Sequence, residues 1–97
     1  MRNLYIIAYD ICLPKRYRRV HRAMKGAGER IQYSIFRCPL SKVELHDLKE
    51  KIWGVLNFAE DRVIIINLGP VDGEAEKRIE YWGDTCEPLV RQEMMIF

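Results

Sequence analysis

Asp10 closes a nearly unbroken apolar run, Leu4-Tyr5-Ile6-Ile7-Ala8-Tyr9. An ionised carboxylate at the end of a buried strand is costly unless it binds a cation or caps something. Two readings stand for it. As a Mg²⁺ ligand it would be one of the one or two carboxylates such an ion takes, the other ligands being water and substrate phosphate. A two-fold axis nearby would bring in a second copy, and two carboxylates could then hold one ion that activates a water against a phosphodiester. As a turn residue it would cap the helix that begins near Pro14.

The second feature is basic. Lys15, Arg16, Arg18, Arg19, Arg22 and Lys25 fall within eleven residues, while Asp10 and Glu29 are the only acids among the first 42 residues. Residues 1–42 carry a net +8 and residues 43–97 a net −6, which together give the chain its +2. Such a sign asymmetry points to a first half that binds a polyanion. Arginine forks match phosphate oxygens, and contacts of this kind give affinity without sequence readout. The alternatives are a solvated helix face, or neutralisation of one half by the other inside the fold. Gln32, Tyr33, Ser34 and Phe36 could stack a base, but packing is the simpler use of these residues.

Other chemistries find no support. There is no Gly-rich phosphate loop, Cys/His dyad, Ser/His/Asp set or metalloprotease motif, and no nucleotide cofactor is indicated. Cys12, Cys38 and Cys86 are odd in number and widely spaced, which reads as free, buried or half-buried thiols. Neither His21 nor His46 has a partner at zinc-ligand spacing. The opening apolar stretch is far short of the roughly 20 residues of a membrane span and lacks a signal-peptide cleavage site. The expectation is a cytoplasmic protein.

The elements that must position these residues follow from periodicity. Leu4–Tyr9 reads as a strand buried on both faces. Pro14 opens a helix with Tyr17, Val20, Met24 and Ala27 inward and Lys15, Arg18, Arg19, Arg22 and Lys25 outward, weakened and ended by Gly26 and Gly28, with Gly28 the better C′ residue. Residues 30–38 form a strand region whose alternation breaks at Tyr33-Ser34, where a bulge or a bend into a separate strand is expected. Ser41-Lys42-Val43-Glu44 is a capping box opening a second helix, with Leu45, Leu48, Ile52 and Leu56 on one face. Arg62–Leu68 reads as another buried strand, closed by Gly69-Pro70. Lys77–Trp82 alternates like a short edge strand, and Met94–Phe97 is an apolar tail that must dock on something.

Strands interleaved with helices in 97 residues suit one α/β domain, a ferredoxin-like βαββαβ sandwich with an extra C-terminal strand. Helices cover one sheet face in that fold, so an apolar open face needs a homodimer packed sheet against sheet. Residues 77–97 would then pack on the partner protomer.

Taken together, these residues resemble the CRISPR-associated protein 2 family over essentially the whole length. Leu4–Ile11, with its Tyr-Asp pair, resembles the family's first strand, and Arg18-Arg19-Val20 its first helix. Gly28-Glu29-Arg30-Ile31-Gln32-Tyr33-Ser34-Ile35-Phe36 is similar to its Gly-x-Arg-x-Gln-x-Ser-Val-Phe pattern, and Glu60–Ile65 to its later Asp-x-Val/Leu strand. The resemblance implies a ferredoxin-like homodimer and a metal-dependent endonuclease acting on RNA, in some members on double-stranded DNA. It implies that Asp10 is the catalytic acid that binds Mg²⁺ or Mn²⁺ across the two-fold axis. It also implies an adaptor that bridges integrase subunits during spacer acquisition, with Arg16, Arg18, Arg19 and Arg30 as nucleic-acid contacts. Ile11-Cys12-Leu13-Pro14 offers no second acid beside Asp10, which leaves metal binding to the dimer. Outside the family stand a toxin-like ribonuclease of the same fold and a non-catalytic small-molecule-binding domain.

Overall fold

The computed structural model describes residues 1–83 of the chain. Its elements run β1 (Asn3–Asp10), α1 (Pro14–Lys25), β2 (Glu29–Gln32), β3 (Ile35–Leu40), α2 (Lys42–Trp53) and β4 (Arg62–Pro70). The strands form one sheet in the order β2-β3-β1-β4, every neighbouring pair antiparallel. This is the split βαβ, ferredoxin-like arrangement expected from the order of strands and helices.

One core explains the layering. Tyr5, Ile7 and Tyr9 of β1 and Phe36, Cys38 and Leu40 of β3 cluster with Val20 and Met24 of α1 and with Leu48 and Ile52 of α2. Both helices therefore lie on the face that these alternate strand residues share. Fully burying a side chain such as Phe36, Met24 or Ile7 is worth roughly 1.5–3 kcal/mol, which ties the helices to that face.

Local signals set most boundaries. Pro14 stands at the start of α1, and Ser41 closes a full capping box with Glu44 on α2. Such a cap is worth about 1 kcal/mol. The break at Tyr33-Ser34 is a two-residue turn between β2 and β3, with Tyr33 at φ 27°.

Four expectations need correction. β1 is buried on its core face, but Ile6 and Ala8 on the other face are only half-buried. β4 is not a buried strand: among the described residues it lies at the sheet edge with a single neighbour, and Ile64, Ile65 and Ile66 are exposed. Lys77–Trp82 is not an edge strand. Glu76–Arg78 makes one 3₁₀ turn held by side chains, Glu76 to Arg37 and Arg78 to the Leu68 carbonyl. Ile79, Tyr81 and Trp82 then line a 430 Å³ cleft with Ile6, Ile35 and Ile66 of the sheet face. Finally, Gly28 does not end α1 through a left-handed residue. The cap is Gly26 in ordinary helical geometry, and Gly28 is needed for close approach, because a Cβ there would sit 2.4 Å from the Arg37 carbonyl oxygen. The apolar tail lies outside the described residues.

Candidate metal and nucleic-acid site

Asp10 is the last residue of β1 and is exposed. Alternation along β1 puts it on the open sheet face with Ile6 and Ala8. The turn reading does not hold: Leu13 is the N-cap residue of α1 and receives no side-chain cap. Among the described residues the Asp10 side chain has no hydrogen-bond or ion-pair partner. A free, exposed carboxylate fits a Mg²⁺ ligand, which needs only one or two acids. One chain supplies no cluster of three or more acids, histidines or cysteines among the described residues.

The scaffold behind Asp10 is built from residues that no sequence motif singled out. Tyr9, facing the core, shares a hydrogen bond of 2.6 Å between its hydroxyl and Nδ1 of His21. Burial pushes the Tyr9 phenol up and the His21 imidazole down. His21 Nε2 is buried and, among the described residues, has no hydrogen-bond partner. Phe36 stacks on Tyr9 at 6.1 Å between centroids, and Tyr17 lies 5.6 Å from both Tyr9 and His21. An aromatic cluster thus underlies the strand end. Its only sequence signal was His21 at helical spacing from Tyr17, one position past Val20.

The second support is Asp61. Its buried carboxylate accepts from the backbone N–H of Cys12 and of Asn57, both at 2.9 Å, and from Arg16 Nε at 2.8 Å. The Arg16 guanidinium, with these backbone donors, holds the Asp61 carboxyl down at about 2. One side chain thereby fixes the loop that leaves Asp10, the first turn of α1 and the loop before β4.

The four arginines tied to nucleic acid by resemblance part company here. Arg16 is turned inward: its guanidinium is spent on Asp61 and Glu60, and only 17% of its side chain is exposed. Arg30 is half-buried on β2, and its charge helps to lower His21. Arg18 and Arg19 are exposed on α1, as are Arg22, Lys15 and Lys25. Among the described residues Arg18, Arg19 and Arg22 enter no ion pair. Arg19 and Arg22 line a groove of about 710 Å³ between α1 and α2, shared with Arg2, Asp47 and Lys51. This groove belongs to the helix layer, whereas Asp10 belongs to the sheet face.

Of the residues that could stack a base, Phe36 is buried in the core and Ser34 donates to the Tyr17 hydroxyl at 3.2 Å. Tyr33, at the hairpin tip, and Gln32 beside it are exposed. Cys38 is buried, and burial raises its thiol to about 11. Cys12 is exposed, where a buried or half-buried thiol was expected. Cys86 lies outside the described residues. No helix among the described residues is long and apolar enough to cross a membrane.

Comparison with known proteins agrees with this architecture. A family model described as CRISPR associated protein Cas2 matches residues 2–72. The chain is 34% identical over 96 residues to the CRISPR-associated endoribonuclease Cas2 of Geobacter sulfurreducens, spanning 99% of this chain and all of that protein. It is 35% identical over 94 residues to the CRISPR-associated endoribonuclease Cas2 1 of Rhodospirillum rubrum, 97% of this chain and 91% of that one. Among solved structures, a hypothetical protein from Thermus thermophilus superposes with a TM-score of 0.72 at 32% identity, over 87% of this chain and 94% of its own. Streptococcus pyogenes Cas2 superposes at 0.68 with 24% identity, over 82% and 99%, a likeness of fold.

Proposed function

This chain belongs to the CRISPR-associated protein Cas2 family, and from that premise we propose that it is a metal-dependent endoribonuclease working as a sheet-to-sheet homodimer. The observation that carries the reading is Asp10: exposed, without a partner among the described residues, and set at the rim of an apolar sheet face. Ile64 and Ile66 are each about half exposed on that face, beside Ile6 and Ile35. Covering it with a second copy removes apolar surface from water and brings two Asp10 carboxylates toward one axis.

Asp10 of each protomer would hold the Mg²⁺ or Mn²⁺ ion, which when bound supplies a Lewis acid and a more acidic water for phosphodiester hydrolysis. The chain's own residues do the rest. The Tyr9–His21 pair and the Asp61 clamp hold the strand end and the following loop, so that the Asp10 carboxylate is placed before the ion arrives. Arg18, Arg19 and Arg22 hold the nucleic-acid backbone from the helix layer, without reading its sequence.

Because those arginines lie on a different layer from Asp10, the chain can also grip duplex DNA without cutting it. This second role is an adaptor that holds spacer DNA and bridges integrase subunits.

The dimer tests the first reading. Ile66→Asp should turn a sedimenting dimer into a folded monomer and abolish RNA cleavage with it. A wild-type chain that sediments as a monomer and still cleaves would overturn the reading.

A further inference from the structure

The strand register places Arg62, the first residue of β4, directly opposite Asp10. Residues opposed in an antiparallel pair point to the same face, with Cβ atoms about 4.5–5.5 Å apart. Arg62 therefore shares the open face with Asp10, Ile64 and Ile66.

The acids and bases around it are otherwise sorted into pairs. Its neighbours Asp61 and Glu60 are both taken by Arg16. Arg37, the arginine on the same face of β3, is taken by Glu76 and Glu29. Arg78 is spent on the Leu68 carbonyl and Arg2 on Glu44. Arg62 is exposed and, among the described residues, enters no ion pair or hydrogen bond through its side chain. Where the fold matches charge with charge, it leaves Asp10 and Arg62 side by side and uncommitted. The two face each other without an ion pair, and attraction between exposed charges is weak, so a ligand can engage either at little cost.

We propose that Arg62 is a phosphate-binding residue of the Asp10 site, gripping the non-bridging oxygens of the RNA phosphodiester delivered there. The inference rests on the nuclease reading of Asp10. A lone carboxylate repels a phosphodiester, and the adjacent guanidinium cancels that repulsion while offering a planar fork of donors. In a two-fold dimer the second Arg62 doubles the effect. Asp10 thus serves the ion and Arg62 the substrate. The arginines of α1 cannot serve here, because they project from the other layer.

The test is single-stranded RNA binding in chelator across a salt series, with cleavage measured separately in Mg²⁺. Wild type, Arg62→Gln, Arg62→Lys, Asp10→Asn and the Asp10→Asn/Arg62→Gln double variant are compared. Arg62→Gln should flatten the slope of log affinity against log salt by about 0.7 for each phosphate that is no longer neutralised. The same flattening should appear on going from Asp10→Asn to the double variant, because Asp10 is absent from both. Arg62→Lys should keep the slope. Cleavage by Arg62→Gln should fall at least tenfold. If Arg62 merely neutralises Asp10, its replacement will be silent in the Asp10→Asn background, and the proposal is overturned. If wild type cleaves through Asp10 while Arg62→Gln binds and cleaves like wild type, the proposal fails and the nuclease reading stands. If nothing cleaves but the slopes change as stated, the phosphate role of Arg62 stands and the nuclease reading fails.

Discussion

The hydroxyl of Tyr9 and Nδ1 of His21 lie 2.6 Å apart inside the core, one residue back from the carboxylate the site depends on. Tyr9 faces inward and Asp10 outward, as consecutive strand residues must. Whatever holds Tyr9 still also holds Asp10.

That pair should give the protein an acid-sensitive step. Burial, with the charges of Arg30 and Lys25, keeps the His21 imidazole below its ordinary value. The unfolded chain then binds a proton more readily, so the stability His21 contributes is present above about pH 6.5 and is lost as pH falls below it. The melting temperature should hold level down to neutral pH and then decline. His21→Leu should flatten the decline and cost about 1–3 kcal/mol at alkaline pH, since the buried Tyr9 hydroxyl loses a hydrogen-bond partner. Thermal unfolding across pH checks this, and parallel curves for the two proteins would contradict it.

Asp61 acts in a different window. Its carboxyl, held at about 2 chiefly by Arg16, contributes stability above the ordinary carboxylate value that is lost as pH falls toward 2. Asp61→Asn should remove that acid limb and lower stability at neutral pH by about 1–3 kcal/mol, because buried donors lose their charged acceptor. Hydrogen exchange should show faster loss at the Cys12 and Asn57 amides while the β1 ladder stays protected.

Two glycines on either side of one turn should respond oppositely to the same change. A Cβ at Gly26 meets nothing closer than 3.5 Å, whereas at Gly28 it meets backbone at 2.4 Å. Gly26→Ala should be neutral or stabilising by up to about 1 kcal/mol. Gly28→Ala should cost about 1–3 kcal/mol by forcing β3 to shift. Denaturant midpoints decide the matter.

The arginines of α1 should separate by role. Arg18→Ala and Arg19→Ala should each flatten the salt dependence of duplex binding by about 0.9 and leave stability unchanged. Arg16→Ala should leave that slope alone and lower the melting temperature, since its guanidinium belongs to Asp61. Binding titrations at several salt concentrations, beside melting curves, check both.

The layered fold was legible because its signals are local. Pro14, the Ser41–Glu44 box and the break at Tyr33-Ser34 each act within a few residues. Asp10 stood out for the same reason, as a carboxylate ending an apolar strand. What escaped was set by distant partners. Arg16 and Arg18 look alike in sequence, and only Asp61, more than forty residues on, decides that one is structural. His21 lacked a metal-ligand neighbour, and nothing local announced Tyr9 as its partner. β4 reads as buried because Ile64-Ile65-Ile66 is uniformly apolar, yet strand order places it at the edge. The pairing of Asp10 with Arg62 is a property of register, which no short motif records.

The central claim, that Asp10 is the acid of a metal-dependent endoribonuclease, is tested most directly by one assay. Purified wild type and Asp10→Asn are incubated with single-stranded RNA in Mg²⁺, in Mn²⁺ and in chelator. We predict cleavage by wild type in either metal, none in chelator, and only background from Asp10→Asn with its RNA binding retained. Equal cleavage by the two proteins, or no cleavage by wild type in either metal, would contradict it.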